Sequence, residues 1–307
     1  MPKPLLQARA DTIHAIRAFF KARDVLEVET PLLCSHSVTD VHIQSFPVTI
    51  NETQTRYLQT SPEFAMKRLL AAGSGPIYQI TKAFRREEAG RFHNPEFSML
   101  EWYRPGFSDQ NLMDEIDALL QSLLKSAKAE RQTYQSLFKT HLHIDPLNTD
   151  IESVQALAKQ QGIHIDAELD LDDWLSLLLC ECIEPKIAKT RPLFITDFPK
   201  SQAALAKLDP DNPKVAKRFE LYFKGFELAN GFEEATDSAE LRARFTDDNC
   251  KRHALNLETM TLDERFLHAL NTLPDCSGVA LGIDRLIMLI LGKTDLSEVM
   301  SFPFETI

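Results

Sequence analysis

The sequence predicts an α+β fold, an antiparallel sheet with helices packed around it, and three observations carry that expectation. Strand-like stretches do not alternate regularly with helical ones, as a doubly wound sheet requires. The chain has no Gly-rich dinucleotide or P-loop signature. Two alternating β-rich stretches, residues 77–86 and 96–104, flank the charged stretch 87–95 and read as two strands joined by a long polar loop.

The elements follow in chain order. Ile13, Ile16, Phe19 and Phe20 recur at helical spacing within residues 5–23, and the segment runs into residues 25–29, which alternate like a strand until Thr30-Pro31 breaks it. Ser61-Pro62-Glu63 offers a hydroxyl cap, a first-turn proline and a first-turn carboxylate ahead of a helix over 64–72, which Gly73 to Gly75 ends. Residues 108–126 form an amphipathic helix, and 151–185 read as helices with an acidic connection around 166–173. Residues 191–198 and 218–230 read as strands, 237–255 and 262–273 as helices, and 279–282 as a short strand entering the apolar helix 283–291.

Composition narrows the class. The 307 residues are 44% hydrophobic and 26% charged, which excludes disordered and collagen-like chains, and the length suits about two domains or one large domain with insertions. No run approaches a membrane span and no secretory apolar stretch opens the chain, so a cytoplasmic location is expected. The net charge of −11 leaves no global footprint for gripping nucleic acid. Cys34, Cys180, Cys182, Cys250 and Cys276 show no zinc or disulfide spacing, and Cys180 and Cys182 read as core filler on an apolar helix. The His141–His143 pair lacks partners at zinc-site spacing.

The stretch from Phe84 to Tyr103 is the most informative. It sets Arg85, Arg86, Arg91 and His93 on a loop between strands, where guanidinium forks suit phosphate oxygens, and then offers Phe97 as a flat face for a base. A solvated hairpin tip with Phe97 in the core is the competing reading.

The order of residues here resembles motif 2 of the class II aminoacyl-tRNA synthetases. Phe226 to Glu234 resembles the glutamate-bearing strand that holds magnesium in that family, Gly278 to Leu286 its motif 3, and Leu26 to Pro31 its motif 1 strand with the proline of the dimer interface. The resemblance runs from about residue 10 to residue 292. Thr60 to Glu63, His93 to Phe97 and Glu227 to Gly231 are closest to the lysyl-tRNA synthetase subgroup. The motif 1 helix begins within the first dozen residues, leaving no anticodon-binding barrel before it. In this the chain resembles the elongation factor P lysyltransferases, as does Pro274 to Gly282. Ala280 stands where lysyl-tRNA synthetases have glycine.

The resemblance implies one class II catalytic domain over 1–307, with a helical insertion around 108–190, that forms a homodimer. It implies an ATP- and Mg²⁺-dependent ligase that activates β-lysine or lysine as an acyl-adenylate and transfers it to a lysine of elongation factor P. A retired synthetase acting as a regulatory subunit, or a minimal lysyl-tRNA synthetase, are the alternatives. Arg85 and Arg285 would be catalytic, Arg85 on the α-phosphate and Arg285 with His93 on the terminal phosphates. Glu87 would meet the adenine amino edge and Phe97 its ring, with Arg86, Asn94, Leu228 and Gly282 also binding ATP. Ser61, Pro62, Glu63, Tyr103, Glu234 and Ala280 would line the substrate. Glu227 and Glu234 would hold Mg²⁺. Seven residues apart, they face opposite ways on a straight strand, and a bend near Asn230-Gly231 would bring them together.

Several of these residues have plainer readings. Glu63 also suits a first-turn dipole partner, Gly282 a strand-end turn, and either magnesium glutamate a surface carboxylate. Ala280 either crowds an α-ammonium, favouring an amine one carbon further on, or fills a core gap.

Overall fold

The computed structural model describes residues 3–86 and 89–307. Helical spacing of apolar residues gives α1 (Lys3–Lys21), followed by β1 (Leu26–Glu27), β2 (Leu33–Cys34), β3 (Pro47–Asn51), β4 (Gln54–Leu58), α2 (Glu63–Ala71), β5 (Ile77–Phe84), β6 (Glu96–Pro105) and α3 (Asp109–Leu124). Then come β7 (Glu130–Thr133), α4 (Tyr134–Leu142), α5 (Ile151–Gln160), α6 (Leu171–Leu178), β8 (Leu193–Pro199), β9 (Val215–Phe223) and β10 (Phe226–Glu233). The chain ends with α7 (Ser238–Ala254), α8 (Glu264–Ala269), β11 (Cys276–Gly282) and α9 (Ile283–Ile290), trailed by short 3₁₀ turns. These elements form two compact units, Met1–Lys125 with Glu234–Ile307, and Ser126–Glu233.

In the first unit the strands run β1, β5, β6, β11, with β1 parallel to β5 and the other pairs antiparallel. Strand alternation divides β6 between two jobs. Leu100 and Trp102 are fully buried on the helical side, where the Trp102 ring meets Phe20 of α1 at 5.2 Å and its Nε1 donates to Glu115 of α3. Phe97, Met99, Glu101 and Tyr103 point to the other face. There the β11 register sets Gly278 opposite Tyr103, Ala280 opposite Glu101 and Gly282 opposite Met99. The second unit pairs β10, β9 and β8 antiparallel and adds β7 parallel to β8. Its core gathers Tyr134 and Phe138 of α4, Trp174 and Leu178 of α6, and Ile195 and Phe198 of β8. The class is α+β, as the sequence predicts.

Local differences have local causes. The acidic connection before α6 is its cap: Asp170 accepts from the Asp173 amide, and the Asp173 side chain returns the bond. The strand expected over 218–230 is two strands, turned by Lys224 and Gly225 at φ 52° and 94°, a two-residue hairpin that needs both residues left-handed. The strand expected over 25–29 shrinks to Leu26–Glu27 at the sheet edge. A small antiparallel sheet, β2-β4-β3, and the β7–α4 segment were not anticipated. Ser61 does not cap α2, whose N-cap is Pro62 with no side-chain cap bond. Cys180 is exposed, because the segment Leu179–Ile183 widens into a π turn that buries Leu179, Cys182 and Ile183 and leaves Cys180 outside. His143 closes α4 as a left-handed C-cap at φ 57°. Among the described residues, no helix is long and apolar enough to cross a membrane.

Candidate active site

The nucleotide-loop residues lie on the β5–β6 hairpin. Ladder pairing continues to Phe84 opposite Glu96, and the Arg85 amide donates to the Pro95 carbonyl at 2.9 Å. Gly90 and His93 exchange backbone hydrogen bonds at 3.1 and 3.2 Å, closing the tip. Behind it, the Arg86 amide donates to Gln44 at 2.7 Å, and Gln44 is held in turn by the fully buried Arg252. The Arg85 guanidinium lies 5.2 Å from the centre of the Phe97 ring, so cation and flat apolar face sit together on the site side of β6. Glu87 falls outside the described residues.

Arg285, in the first turn of α9, reaches this loop: its Nε donates to the Phe92 carbonyl at 3.0 Å, and its Nη2 lies 2.8 Å from His93 Nε2. Asp284 pins the helix start by accepting from the Ser98 amide at 2.6 Å and from Arg9 at 2.5 Å. Asn94 uses its side chain structurally, donating to the Glu96 carbonyl and accepting from the Phe304 amide in the C-terminal segment. Gly282 has a φ of −74°, and an added Cβ would meet only Arg285 at 3.6 Å or more, so neither backbone nor neighbours demand glycine there.

A second cluster in the same unit is more deeply buried. The i,i+4 spacing on α2 sets Lys67 one turn from Glu63, with Nζ 2.6 Å from Glu63 Oε1 and 2.5 Å from Glu234 Oε2. Tyr103 donates to Glu101 Oε1 at 2.7 Å, and Glu101 Oε2 is buried without a hydrogen-bond partner. Lys67, Glu101, Tyr103 and Glu234 are each no more than 2% exposed. Three carboxyl groups thus cluster with one buried ammonium. Burial pushes the Glu101 carboxyl up to about 8, helped by the Glu63 charge and opposed by the Tyr103 hydrogen bond. Burial likewise pushes Glu234 up to about 8 against the pull of Lys67. Burial alone would lower the Lys67 pKa, but the two flanking carboxylates outweigh it and hold the ammonium charged. Gly278 floors the cluster: a Cβ there would lie 2.2 Å from Tyr103 Cε1 and 2.6 Å from Glu234 Oε1. Ser61 is half-buried, Pro62 is buried, and both lead directly into Glu63.

Glu227 and Leu228 lie in the second unit on β10. The irregularity in this strand lies at Leu228, not near Asn230-Gly231, since Glu227 pairs with Tyr222 and Ala229 with Leu221. The bulge keeps Glu227 on the same face as Glu220, Tyr222 and Asn230. Glu220 is buried, accepts from Arg218 at 2.5 Å and Tyr222 at 2.8 Å, and has its pKa raised by burial and by the Glu227 charge. Asn230 donates to Glu220 at 3.3 Å, while its Oδ1 is buried without a partner. Glu234 likewise has its carboxylate beside a buried cation, Lys67.

The structure therefore brings Arg85, His93, Phe97 and Arg285 together at one hairpin, and Glu63, Tyr103 and Glu234 at one pocket lined by Ala280. It adds residues that sequence reasoning missed. Lys67 and Glu101 carried a signal, being one helical turn from Glu63 and two strand positions from Tyr103. Gly278 and Glu220 carried none short of the strand register.

Comparison with known proteins agrees with this architecture. Residues 2–306 match the family described as tRNA synthetases class II (D, K and N). A Hamiltonella defensa protein named elongation factor P–(R)-β-lysine ligase is 52% identical over 308 residues, covering 98% of this chain and 95% of that one. Proteins of the same name from Vibrio cholerae, 51% identical over 97% of this chain and 95% of theirs, and Proteus mirabilis, 50% identical over 97% and 94%, are similarly related. With motif order, α+β class and near full-length identity in agreement, this chain belongs to the class II tRNA synthetases of the D, K and N group.

Proposed function

We propose that the protein is an ATP-dependent ligase that activates (R)-β-lysine, or lysine, as an acyl-adenylate and transfers it to a lysine ε-amine of elongation factor P. The observation that carries the reading is the pocket of Glu63, Lys67, Glu101 and Glu234. A buried site with three carboxyl groups to one ammonium, two of them held protonated near neutrality by burial and able to ionise beside an incoming cation, suits a guest bearing ammonium groups and suits an anionic one poorly. The names of relatives at about half identity over almost their whole length support the same substrate and acceptor.

In the first step a substrate carboxylate oxygen attacks the α-phosphorus of ATP, and the bond to pyrophosphate breaks. In the second the acceptor's neutral ε-amine attacks the acyl carbon, AMP departs with the bonding pair, and the amine's extra proton leaves to solvent. This chemistry needs positioning and charge neutralisation more than covalent help. Arg85 neutralises the α-phosphate while Phe97 stacks on adenine and Glu87 accepts from its amino group. His93 and Arg285 take the terminal phosphates; Arg86, Asn94, Leu228 and Gly282 shape the nucleotide's surroundings. Glu63, Glu101, Tyr103 and Glu234 hold the ammonium groups, and Ala280, beside Glu101, narrows the wall where an α-ammonium would sit. Mg²⁺ is assigned, by the family resemblance, to Glu227 and Glu234; Glu227 shares its strand face with Glu220 and the unpartnered Asn230 Oδ1. The ion would supply charge neutralisation on the triphosphate. We assign the whole chain to one catalytic domain working as a cytoplasmic homodimer without anticodon recognition.

Mass spectrometry of elongation factor P after incubation with the protein, ATP and either lysine isomer tests the reading, with tRNA as a parallel acceptor. A mass gain on the factor and none on tRNA is expected. No gain with either isomer, both proteins being folded, rejects it.

A further inference from the structure

Lys67 is charged, buried in the amine pocket, and given no task by the proposed reaction. An exposed i,i+4 pair on a helix contributes only a few tenths of a kcal/mol and needs no burial. Here the ammonium is desolvated completely, and such a group is tolerated only where carboxylates match it. The matching is uneven. Glu63 Oε1 and Glu234 Oε2 both lie within ion-pair distance of Lys67 Nζ, at 2.6 and 2.5 Å, whereas the third carboxyl group, Glu101, receives the Tyr103 hydroxyl; Oε2 of Glu101 and Oε2 of Glu234 are both buried without a hydrogen bond. The two anchored glutamates come from different parts of the chain, one from the start of α2 and one from the residue after β10, so the ammonium is also the tie between them.

We propose that Lys67 is the positioning residue of the amine pocket: its ammonium holds Glu63 against Glu234 and supplies part of their counter-charge, directing the pocket's unmet demand for a cation to Glu101 and selecting amino acids that carry a second, distal ammonium. The inference rests on the amine-pocket reading above. Lys67 touches no reacting atom in this account, and it acts only through the carboxylates it spaces.

The test is amino-acid-dependent ATP–pyrophosphate exchange by the full chain carrying Lys67→Met, which keeps the stem and removes the charge. Truncating one partner of a buried charge cluster leads us to expect a KM for lysine or β-lysine raised by roughly 30-fold or more, with the KM for ATP within about twofold of the parent. In Lys67→Ala, added methylammonium should restore the lysine KM in a dose-dependent way, which a merely structural role would not produce. The alanine variant also serves if the methionine variant fails to fold. An unchanged lysine KM in Lys67→Met overturns the proposal; so does a parallel rise in both KM values, or indifference of Lys67→Ala to methylammonium. If the unsubstituted protein shows no exchange with any amino acid, it is the amine-pocket reading that fails, so the two failures are distinguishable.

Discussion

The nucleotide hairpin and the amine pocket share strand β6 but solve opposite electrostatic problems. The hairpin exposes Arg86, Arg91 and His93 and half-exposes Arg85, so its cations stay within reach of water and of an arriving polyanion. The pocket buries its ionisable groups before any ligand is present, and compensates them only in part, through Lys67 and the Tyr103 hydroxyl. A solvated loop is assembled by its ligand, whereas a dry pocket is selective through what it leaves uncompensated. Substitutions in the pocket should therefore damage amino-acid binding severely and touch stability, while substitutions in the loop should affect ATP alone.

The largest effect is expected from Gly278→Val. Its Cβ would collide with the Tyr103 ring and the Glu234 carboxylate, both locked by burial, so neither can give way without breaking the cluster. Lysine-dependent pyrophosphate exchange should fall by on the order of 100-fold or more, and thermal unfolding should show a lowered Tm. A variant with ordinary lysine KM would show that the floor of the pocket lies elsewhere.

Glu101→Gln comes next, and it separates binding from stability. Losing the carboxylate should raise the lysine KM by roughly 100-fold while leaving the ATP KM alone. Stability should move the other way. A carboxyl whose folded pKa is raised to about 8 binds its proton more tightly folded than unfolded, so stability falls as pH rises from the ordinary carboxylate range of about 4 to 5 up to about 8. The ligand-free parent should thus melt at lower temperature at about pH 8.5 than at about pH 6, and the glutamine variant should show a shallower slope. Equal slopes for parent and variant would refute buried ionisation at this position.

His93→Ala tests the other side of the comparison. The side chain shares the Arg285 guanidinium at the exposed tip, so its loss should raise the ATP KM about tenfold with little change in Tm or in the lysine KM. Titration of each substrate at saturating levels of the other would reveal any crossover, and crossover would erase the distinction between the regions.

The contrast also explains what could be read from the amino acids alone. The hairpin is one contiguous stretch, so Arg85, His93 and Phe97 could be identified together by type and order. The pocket is drawn from α2, β6, β11 and the residue after β10; Glu63, Tyr103 and Glu234 were visible only through family resemblance, and Lys67 and Glu101 went unread although each stood at a periodic offset from a named residue. Bulges are less legible still. The extra residue at Leu228 resets which later residues share the face of Glu227, putting Asn230 there opposite Glu220, and nothing in the alternation of residues 226–233 announces it. The 218–230 strand failed for a related reason, since Lys-Gly is a weak signal for a hairpin whose turn is set by two left-handed residues.

The smallest effect belongs to Ala280, where the comparison narrows to a single methyl group. Ala280 stands opposite Glu101 in the β6–β11 register, so its side chain shares the pocket's face beside the carboxylate that most needs a cation. A methyl there takes room from an amine on the carbon next to the carboxylate and leaves an amine one carbon further out less affected. Ala280→Gly should therefore shift the ratio of kcat/KM for lysine over β-lysine upward by on the order of tenfold, the usual discrimination of one methyl group. Because neither charge nor hydrogen bonding changes, the Glu101-dependent slope of stability with pH should stay as in the parent, and the ATP KM with it. An unchanged ratio would mean that selection between the isomers comes from the spacing of the carboxylates, not from the shape of the wall.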